Sequence, residues 1–315
     1  MKYKHLFGPV PSRRLGVSLG VDLIPFKTCT FDCVYCECGR TTALTVGRRA
    51  FVPAGEVIKE LEDFLSKKPE LDYVTFSGSG EPTLHPGIGK IISFLKKKHG
   101  EYPIAVITNG SLLFRKPVRK ALSAADIVIP SLDAVSENVF GKINRPAPSL
   151  KIAKIIGGIA DFRAGYNGKI WLEIFIVPGL NDTPGELKKM KRILKDINPD
   201  KIQLNSLARP GTEPWVASAT VMTLVNIAKF FKPLKAEIIT EFSRKRREKI
   251  APGNISEKIL NTVRRRPVTA EDISVILGLR AGEVNKCIGL LLERRKIRSL
   301  HHLGKVFFKT EGEDV

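Results

Sequence analysis

The sequence predicts an α/β fold, a partial (β/α)6 TIM-like barrel followed by a C-terminal winged helix-turn-helix domain, and three observations lead there. Val- and Ile-rich runs alternate with amphipathic stretches of helical spacing from about residue 16 to residue 241. That alternation favours parallel pairing through right-handed crossovers, and six such units are too few to close a full TIM ring. After residue 254 the alternation stops, and helical segments precede two short strand-like runs. A doubly wound open sheet is the other architecture compatible with this order.

Residues 1–15 read as an N-terminal leader, 16–242 as the barrel, 243–254 as a basic linker and 255–315 as the winged-helix domain. The predicted strands are "GVSLGVDLI", "DYVTFSG", "IAVITNG", "DIVIPSLD", "IWLEIFIV" and "KIQLNSL", with "AEIITEF" as a later candidate. Between them lie the helical stretches "AGEVIKELEDFLSKK", "GIGKIISFLKKKHG", "KPVRKALSAA", "LKIAKIIGGIADFRAGY", "PGELKKMKRILKDI" and "VMTLVNIAKFFKPL". In the first of these, Val57, Ile58, Leu61, Phe64 and Leu65 share one face and Lys59, Glu60, Asp63 and Lys67 the other, the pattern of a helix covering a sheet. The C-terminal segments are "SEKILNTVRRR", "TAEDISVILGL" and "AGEVNKCIGLLLERRK", with Ser256 and Thr269 as N-cap candidates and Gly278 at a turn. "IRSLHHLGKVFFK" then reads as two strands around Gly304.

The 52 Lys and Arg against 32 Asp and Glu give a net charge of +20, which favours association with polyanions such as RNA or DNA. A solvated lysine-rich surface has the same composition. Residues 255–315 hold 12 basic and 8 acidic side chains, so +4 of the charge lies there and +16 in the remainder; the excess is not a tail. No apolar run approaches the ~20 residues of a membrane span, and the N-terminus lacks the apolar core of a signal peptide. The expectation is a cytoplasmic protein with no membrane partner, in which thiols stay reduced.

Four of the five cysteines, Cys29, Cys33, Cys36 and Cys38, fall within "TCTFDCVYCECG". An odd total with one tight cluster is a poor disulfide framework and points to metal binding or catalysis. The spacing Cys29-x3-Cys33-x2-Cys36 follows the first predicted strand, on a loop at the barrel end where ligands gather. A cubane iron–sulfur cluster takes four soft thiolates, so a loop offering three leaves one iron open. The competing reading is a zinc knuckle of all four thiols, but zinc usually draws on a second Cys or His pair, and His85, His99, His301 and His302 are not so spaced.

"CTFDCVYC", with Tyr35 before its last cysteine, resembles the CxxxCxxC signature of the radical S-adenosylmethionine superfamily. The resemblance implies a [4Fe-4S] cluster on Cys29, Cys33 and Cys36 whose fourth iron chelates S-adenosylmethionine. It further implies reductive cleavage of that cofactor to a 5′-deoxyadenosyl radical, hydrogen abstraction from a substrate, and a low-potential electron donor of the flavodoxin or ferredoxin type. "SGEP", Ser79, Gly80, Glu81 and Pro82, is similar to the superfamily's glycine-glycine-glutamate-proline motif with a serine first, small residues there admitting the methionine moiety. Thr108 and Asn109 in "VITNG", and Ser131 and Asp133 in "IPSLDA", lie where the superfamily contacts the rest of its cofactor; Asn181, Asn205 and Arg209 lie on the next loops.

"FGPVPSRRLGVSLGVDLIPFKTCTFDCVYC" resembles the branch containing the wyosine-base synthases, which implies an RNA substrate and a tRNA base modification. Archaeal members carry a second cluster on upstream cysteines, and this chain has none before Cys29, so their pyruvate condensation does not carry over. "PGLND" and the short chain also resemble glycyl-radical-enzyme activases, which act on a protein partner. A rival of another class is an iron–sulfur-sensing regulator that reads DNA with the winged helix, whose Arg280, Asn285 and Lys286 are offset by Glu283. Cys38 reads either as a hydrogen donor or covalent acceptor near the cluster, or as a small loop residue. Cys287, among Ile288, Leu290 and Leu291, reads as core, and Arg13 and Arg14 either clamp a phosphate or carboxylate or stay solvated.

Overall fold

In the computed structural model, which describes residues 3–239 and 255–311, the apolar runs pair into one large sheet. The strands are β1 (Leu6–Ser12), β2 (Gly16–Val21), the two-residue pair β3 (Thr28–Cys29) and β4 (Ala43–Leu44), β5 (Tyr73–Phe76), β6 (Ile104–Thr108), β7 (Ile127–Pro130), β8 (Lys169–Phe175), β9 (Lys201–Asn205) and β10 (Ala236–Ile238). The large sheet runs β1-β2-β5-β6-β7-β8-β9-β10, parallel throughout except for the antiparallel β1–β2 pair. Strand order follows chain order without reversal. A doubly wound sheet must reverse at a switch point, so the open partial barrel is the architecture present.

Alternation along the strands sends side chains to two different cores. Val74, Phe76, Ile104, Val106, Ile170 and Leu172 face outward into a core shared with helices α1 (Ala54–Leu65), α2 (Ile88–Lys98), α3 (Lys116–Leu122), α4 (Glu137–Ile143), α5 (Ile152–Ala164), α6 (Pro184–Ile197) and α7 (Val221–Phe231). Ala105, Ile127 and Ile129 face inward with Leu15, Ile107 and Trp171. The inward face is also polar: Ser18 and Thr75 share a hydrogen bond of 2.6 Å, and Glu173, Gln203 and Asn205 are buried.

Three elements differ from the sequence expectation. The supposed leader contains β1, which covers the edge of β2, with the Phe7 ring packed where a Cβ on Gly20 would be. Pro9 and Pro11 would disfavour a strand inside the sheet, but an edge strand tolerates prolines because its outer N–H groups have no ladder partner to lose. The later candidate "AEIITEF" does supply β10, making seven parallel strands instead of six. Helix α4 was not anticipated; its seven residues show little periodicity.

Past the gap, α8 (Ile255–Arg265), α9 (Ala270–Leu277) and α10 (Ala281–Glu293) precede an antiparallel hairpin of β11 (Ile297–His302) and β12 (Lys305–Thr310). Ile259, Val263, Ile273, Val284, Ile288 and Phe308 form their own core, against which the partly buried Cys287 packs. Thr269 caps α9 in a reciprocal box with Asp272, and Gly278 ends it at φ +59°. Ser256, expected as an N-cap, lies one residue inside α8. The linker expected at 243–254 lies outside the described residues. Among the described residues no helix is long and apolar enough to cross a membrane.

Candidate functional site

The cysteine loop leaves β2 at the end of the sheet reached by successive βα connections. Parallel pairing of β3 with β4, Thr45 N–H on Cys29 O (2.8 Å) and Ala43 N–H on Lys27 O (3.1 Å) fix its first part. Val34 N–H donates to Ile143 O (2.9 Å) and Asp32 N–H to Asn144 O (3.0 Å), tying the middle to the end of α4. Cys36 N–H then closes a turn on Cys33 O (3.1 Å).

Each of the three spaced sulfurs has a side-chain N–H donor, and the three donors come from different parts of the chain. Asn109 Nδ2 approaches Cys29 Sγ at 3.6 Å, Asn144 Nδ2 approaches Cys33 Sγ at 3.5 Å, and Lys27 Nζ lies 3.1 Å from Cys36 Sγ. Cys38 turns its thiol to Cys36 instead. Lys27 and Asn144 were not singled out from the sequence. Lys27 stands two positions before Cys29 with φ +55°, an adjacency that could have marked it; Asn144 belongs to the unanticipated α4 region and gave no signal.

The other strand ends gather around the same loop. Glu81 is buried: Oε1 accepts from Thr83 N–H (3.0 Å), Thr83 Oγ1 (2.5 Å) and Thr108 Oγ1 (2.6 Å), and Oε2 from Asn109 N–H (2.8 Å). It thereby joins the end of β5 to that of β6, while Pro82 opens the 3-10 turn Pro82–Leu84. Gly80 lies so close to the cysteine loop that a Cβ there would be 2.1 Å from Thr28 O, whereas neighbouring Ser79 accepts Lys27 N–H on its carbonyl (3.2 Å). Asn109 also donates to Thr30 Oγ1 (2.7 Å). Ser131, just past β7, bridges to Glu173.

Asp133 is buried, with Oδ2 accepting from Tyr35 Oη (2.5 Å) and Asn144 Nδ2 (2.7 Å) and Oδ1 from Phe175 N–H (2.8 Å). Both oxygens are thus occupied by protein donors, and Asp133 holds Tyr35 and Asn144 in place, one step behind the surface it was expected to line. The Tyr35 ring stacks on Phe175 at 3.8 Å and 7°. Asn181 is a buried tie, donating to Asp133 O (2.8 Å) and Phe175 O (2.7 Å). Asn205 Oδ1 accepts Ser206 N–H (3.0 Å). Arg209 pairs with Glu37 (3.5 Å) and with Asp272 of α9 (3.4 Å).

Burial, reinforced by Glu81, pushes the Cys29 thiol up to about 12. Burial and then Asp133 raise Cys33 well above the ordinary thiol range. Cys36 goes the other way: the hydrogen bond from Cys38, and then Lys27, outweigh its burial. Burial opposes the charge on Lys27, yet Cys36, Cys38 and Cys29 together raise its pKa. Two of the three sulfurs therefore need a positive centre before they ionise in this surrounding.

A soft, thiol-only donor set that needs cationic compensation and has N–H groups aimed at its sulfurs fits an iron–sulfur cluster. Among the described residues no three His, Cys, Asp or Glu side chains converge as one metal ion requires. A cluster places each ligand on a separate iron, which asks for no such convergence.

The fold and loop define a radical S-adenosylmethionine protein: the Radical SAM superfamily model matches residues 23–190, and the chain belongs to that superfamily, which uses a [4Fe-4S] cluster and S-adenosylmethionine. Within it the chain belongs with the UPF0026 proteins. It is 34% identical over 308 residues to UPF0026 protein MJ1312 of Methanocaldococcus jannaschii, covering 96% of this chain and 94% of that one. A protein named GTPase Obg from Brachyspira hyodysenteriae is 34% identical over 302 residues, 95% of this chain and 44% of its own length. The chain thus spans less than half of that relative, and it contains no GxxxxGK[ST] phosphate loop. The solved structure of TYW1 with a lysine-pyruvate adduct bound shares the fold, with a TM-score of 0.52 and 16% identity over 69% of this chain and 74% of that one.

Proposed function

We propose that this protein is a radical S-adenosylmethionine enzyme that abstracts a hydrogen atom from its substrate, with RNA, modified at a tRNA base, as the leading substrate class. The observation that carries the reading is the set of three half-buried cysteines on one loop, each sulfur met by a side-chain N–H donor from a different region. Cys29, Cys33 and Cys36 would hold the cluster. When bound, the cluster and S-adenosylmethionine supply a 5′-deoxyadenosyl radical, given an electron from a flavodoxin- or ferredoxin-type donor.

The chain's own residues then position and shield. Glu81 fixes Thr108 and the Asn109 backbone, and so aims the Asn109 amide at Cys29. Asp133 does the same for Asn144 at Cys33. Gly80 lets the "SGEP" turn press against the cysteine loop, and Ser79, Pro82 and Ser131 complete the rim on which the cofactor would rest. Val34, Ile143, Phe175, Leu207 and Val216 pack beside Tyr35 and exclude water from one wall.

The net charge of +20 supports a polyanionic substrate. We read α8–α10 and the β11–β12 hairpin as a winged helix that docks substrate. At the start of α10 the Glu283 carboxylate accepts the backbone N–H of Arg280 (3.1 Å), which occupies Glu283 and not the Arg280 guanidinium.

Anaerobically reconstituted protein with dithionite and S-adenosylmethionine is expected to form 5′-deoxyadenosine, and Cys29→Ala, Cys33→Ala and Cys36→Ala are each expected to abolish it. Absence of that product, or undiminished activity in all three variants, would remove the reading in favour of an iron–sulfur-sensing regulator. Deuterium transfer into 5′-deoxyadenosine from labelled tRNA would establish the substrate class; transfer from a labelled protein partner would assign a glycyl-radical or peptide activase.

A further inference from the structure

Two stretches of chain beside the cysteine loop are poor in acids and rich in cations. No Asp or Glu occurs between Glu37 and Glu56, and Glu101 is the sole one between Glu81 and Asp126, whereas Arg48, Arg49, Lys90, Arg115, Lys116 and Lys120 fall in these stretches. Packing brings them together. A Cβ at Gly89 of α2 would lie 3.1 Å from the Cβ of Ala121 in α3, so Lys90 and Lys120 flank one helix contact. Lys116 and Lys120 are one turn apart on α3. At the entrance to α3 the half-buried Phe114 ring carries the Arg115 guanidinium at 5.6 Å and the Lys154 ammonium of α5 at 4.2 Å. Arg48 is anchored on Thr83 O (2.9 Å) and His85 O (3.3 Å), and Arg49 lies over the Phe51 ring at 4.7 Å. Burial lowers the pKa of Arg48, and the charge of Arg115 lowers it further.

An aromatic face orients a cation without neutralising it. Lys67, Lys201 and Arg265 also lie over rings, but each has a carboxylate partner as well, Asp63, Glu237 and Asp22. Among the described residues Arg49, Arg115 and Lys154 have none, nor have Lys90, Lys116 and Lys120. The acids around this surface are engaged elsewhere: Asp161 with Arg119 (3.4 Å), Asp126 with Lys96 (2.8 Å), and Glu137 with the N–H of Ile152 (2.9 Å). Six cations therefore stand together without counterions, three of them held in place by rings. Such a field draws in a polyanion.

We propose that this surface, from Lys90 and Lys120 across Arg115 and Lys154 to Arg49, docks the sugar–phosphate backbone of an RNA strand and brings one of its nucleotides to the cysteine loop. A phosphodiester backbone repeats one anion per nucleotide with no cation between, which suits a field of cations without acids; acidic protein surfaces interleave the two signs. The guanidinium forks of Arg49 and Arg115 suit phosphate oxygens in pairs. The reach is short. Asn109, whose amide meets Cys29 Sγ, is six residues from Arg115, at most about 20 Å of chain. Thr45, whose N–H meets Cys29 O, is three residues from Arg48, at most about 10 Å. The choice of RNA among polyanions rests on the reading of RNA as substrate; the surface itself does not.

The test is binding of a single-stranded RNA dodecamer to the reconstituted full chain, read by fluorescence anisotropy over a salt series. For single strands log K falls against log salt with a slope of about 0.7 per phosphate neutralised. Combining Lys90→Gln, Lys116→Gln and Lys120→Gln, all at exposed positions, is expected to leave melting unchanged, to weaken binding at least about tenfold and to flatten the slope by about 2. Lys188→Gln, Lys189→Gln and Lys195→Gln remove the same charge from exposed positions of α6 and are expected to shift affinity by less than about threefold. Equal losses in the two triple variants would show that net charge alone attracts RNA and would overturn the proposal, as would wild-type affinity in the first triple or no binding by the wild type. Polyglutamate of equal charge is the second probe; binding as tight as that of RNA, with the same sensitivity to the first triple, overturns RNA in favour of an acidic protein partner. Formation of 5′-deoxyadenosine without RNA is expected to be equal in the first triple and the wild type. Its absence in both would remove the enzymatic reading and leave the binding result standing.

Discussion

Replacing Gly80 by alanine tests how closely the "SGEP" turn and the cysteine loop must meet. Gly80 is not among the positive-φ residues, so the backbone itself admits alanine and only the contact is at issue. The new Cβ would lie 2.1 Å from Thr28 O and 2.7 Å from Ile24 Cγ2, while real Cβ atoms essentially never come under 3.0 Å, so the loop must retreat by 3.0 − 2.1 = 0.9 Å. Two hydrogen bonds stitch the strands across this point, Lys27 N–H to Ser79 O and Glu81 N–H to Thr28 O, both already 3.2 Å long. A retreat of that size breaks them. Overpacking costs about 1–3 kcal/mol and each lost hydrogen bond about 1 kcal/mol, so a loss of about 3 kcal/mol follows, or a fall in Tm of roughly 5–10 °C. Thermal melting of anaerobic protein measures it, with iron content as a second readout expected to fall because Thr28 adjoins Cys29. Gly185→Ala, in the first turn of α6 with nothing within 4 Å, is the control, expected to gain about 0.5–1 kcal/mol. Wild-type melting and iron content in Gly80→Ala would refute the reasoning.

Glu81→Gln places an amide N–H₂ against one of four donors that now point at carboxylate oxygens; urea denaturation should show a loss of about 1–3 kcal/mol. Arg14→Met strands Glu173 in a pair whose two side chains are each only 12% exposed; the expected cost is about 3–5 kcal/mol, and adding Glu173→Leu should recover most of it, a double-mutant cycle that additive losses would contradict. His85 Nδ1 accepts Gly87 N–H (3.1 Å) and its Nε2–H meets Val52 O (2.8 Å), so the neutral ring is the one the fold holds. Burial, with Arg48, lowers its pKa from 6.5, so the unfolded chain takes up the proton first. Its stability contribution is present above pH 6.5 and lost as pH falls through the folded value; the urea midpoint should drop on acidification in that window, and His85→Gln should flatten that slope.

The barrel was legible because period-2 and period-3.6 patterns alternate over long stretches, and Val74, Phe76, Ile104 and Val106 obey the alternation without interruption. Strand β1 was not, since Pro9 and Pro11 carry a penalty that only an edge position removes, and edge position is a property of the assembled sheet. The cysteine loop declared itself through spacing alone. Its surroundings did not: the resemblance places Glu81 and Asp133 against the cofactor, but a carboxylate's protein partners depend on what packs over it, and Thr108, Asn109, Tyr35 and Asn144 meet these two. Lys27 and Asn144 escaped notice because a donor to sulfur has no fixed place in sequence relative to the thiol it serves.

Because each parallel strand lies beside its predecessor, most of the sheet can be laid down in the order in which the ribosome delivers it. Contacts of the C-terminal helices break that order. Arg265 of α8 meets Asp22 across 243 residues of chain, so the C-terminal helices join the N-terminal strands. A polypeptide interrupted before α8 would own every strand of the large sheet and every cysteine of the loop, yet lack the helices that close over β1 and β2.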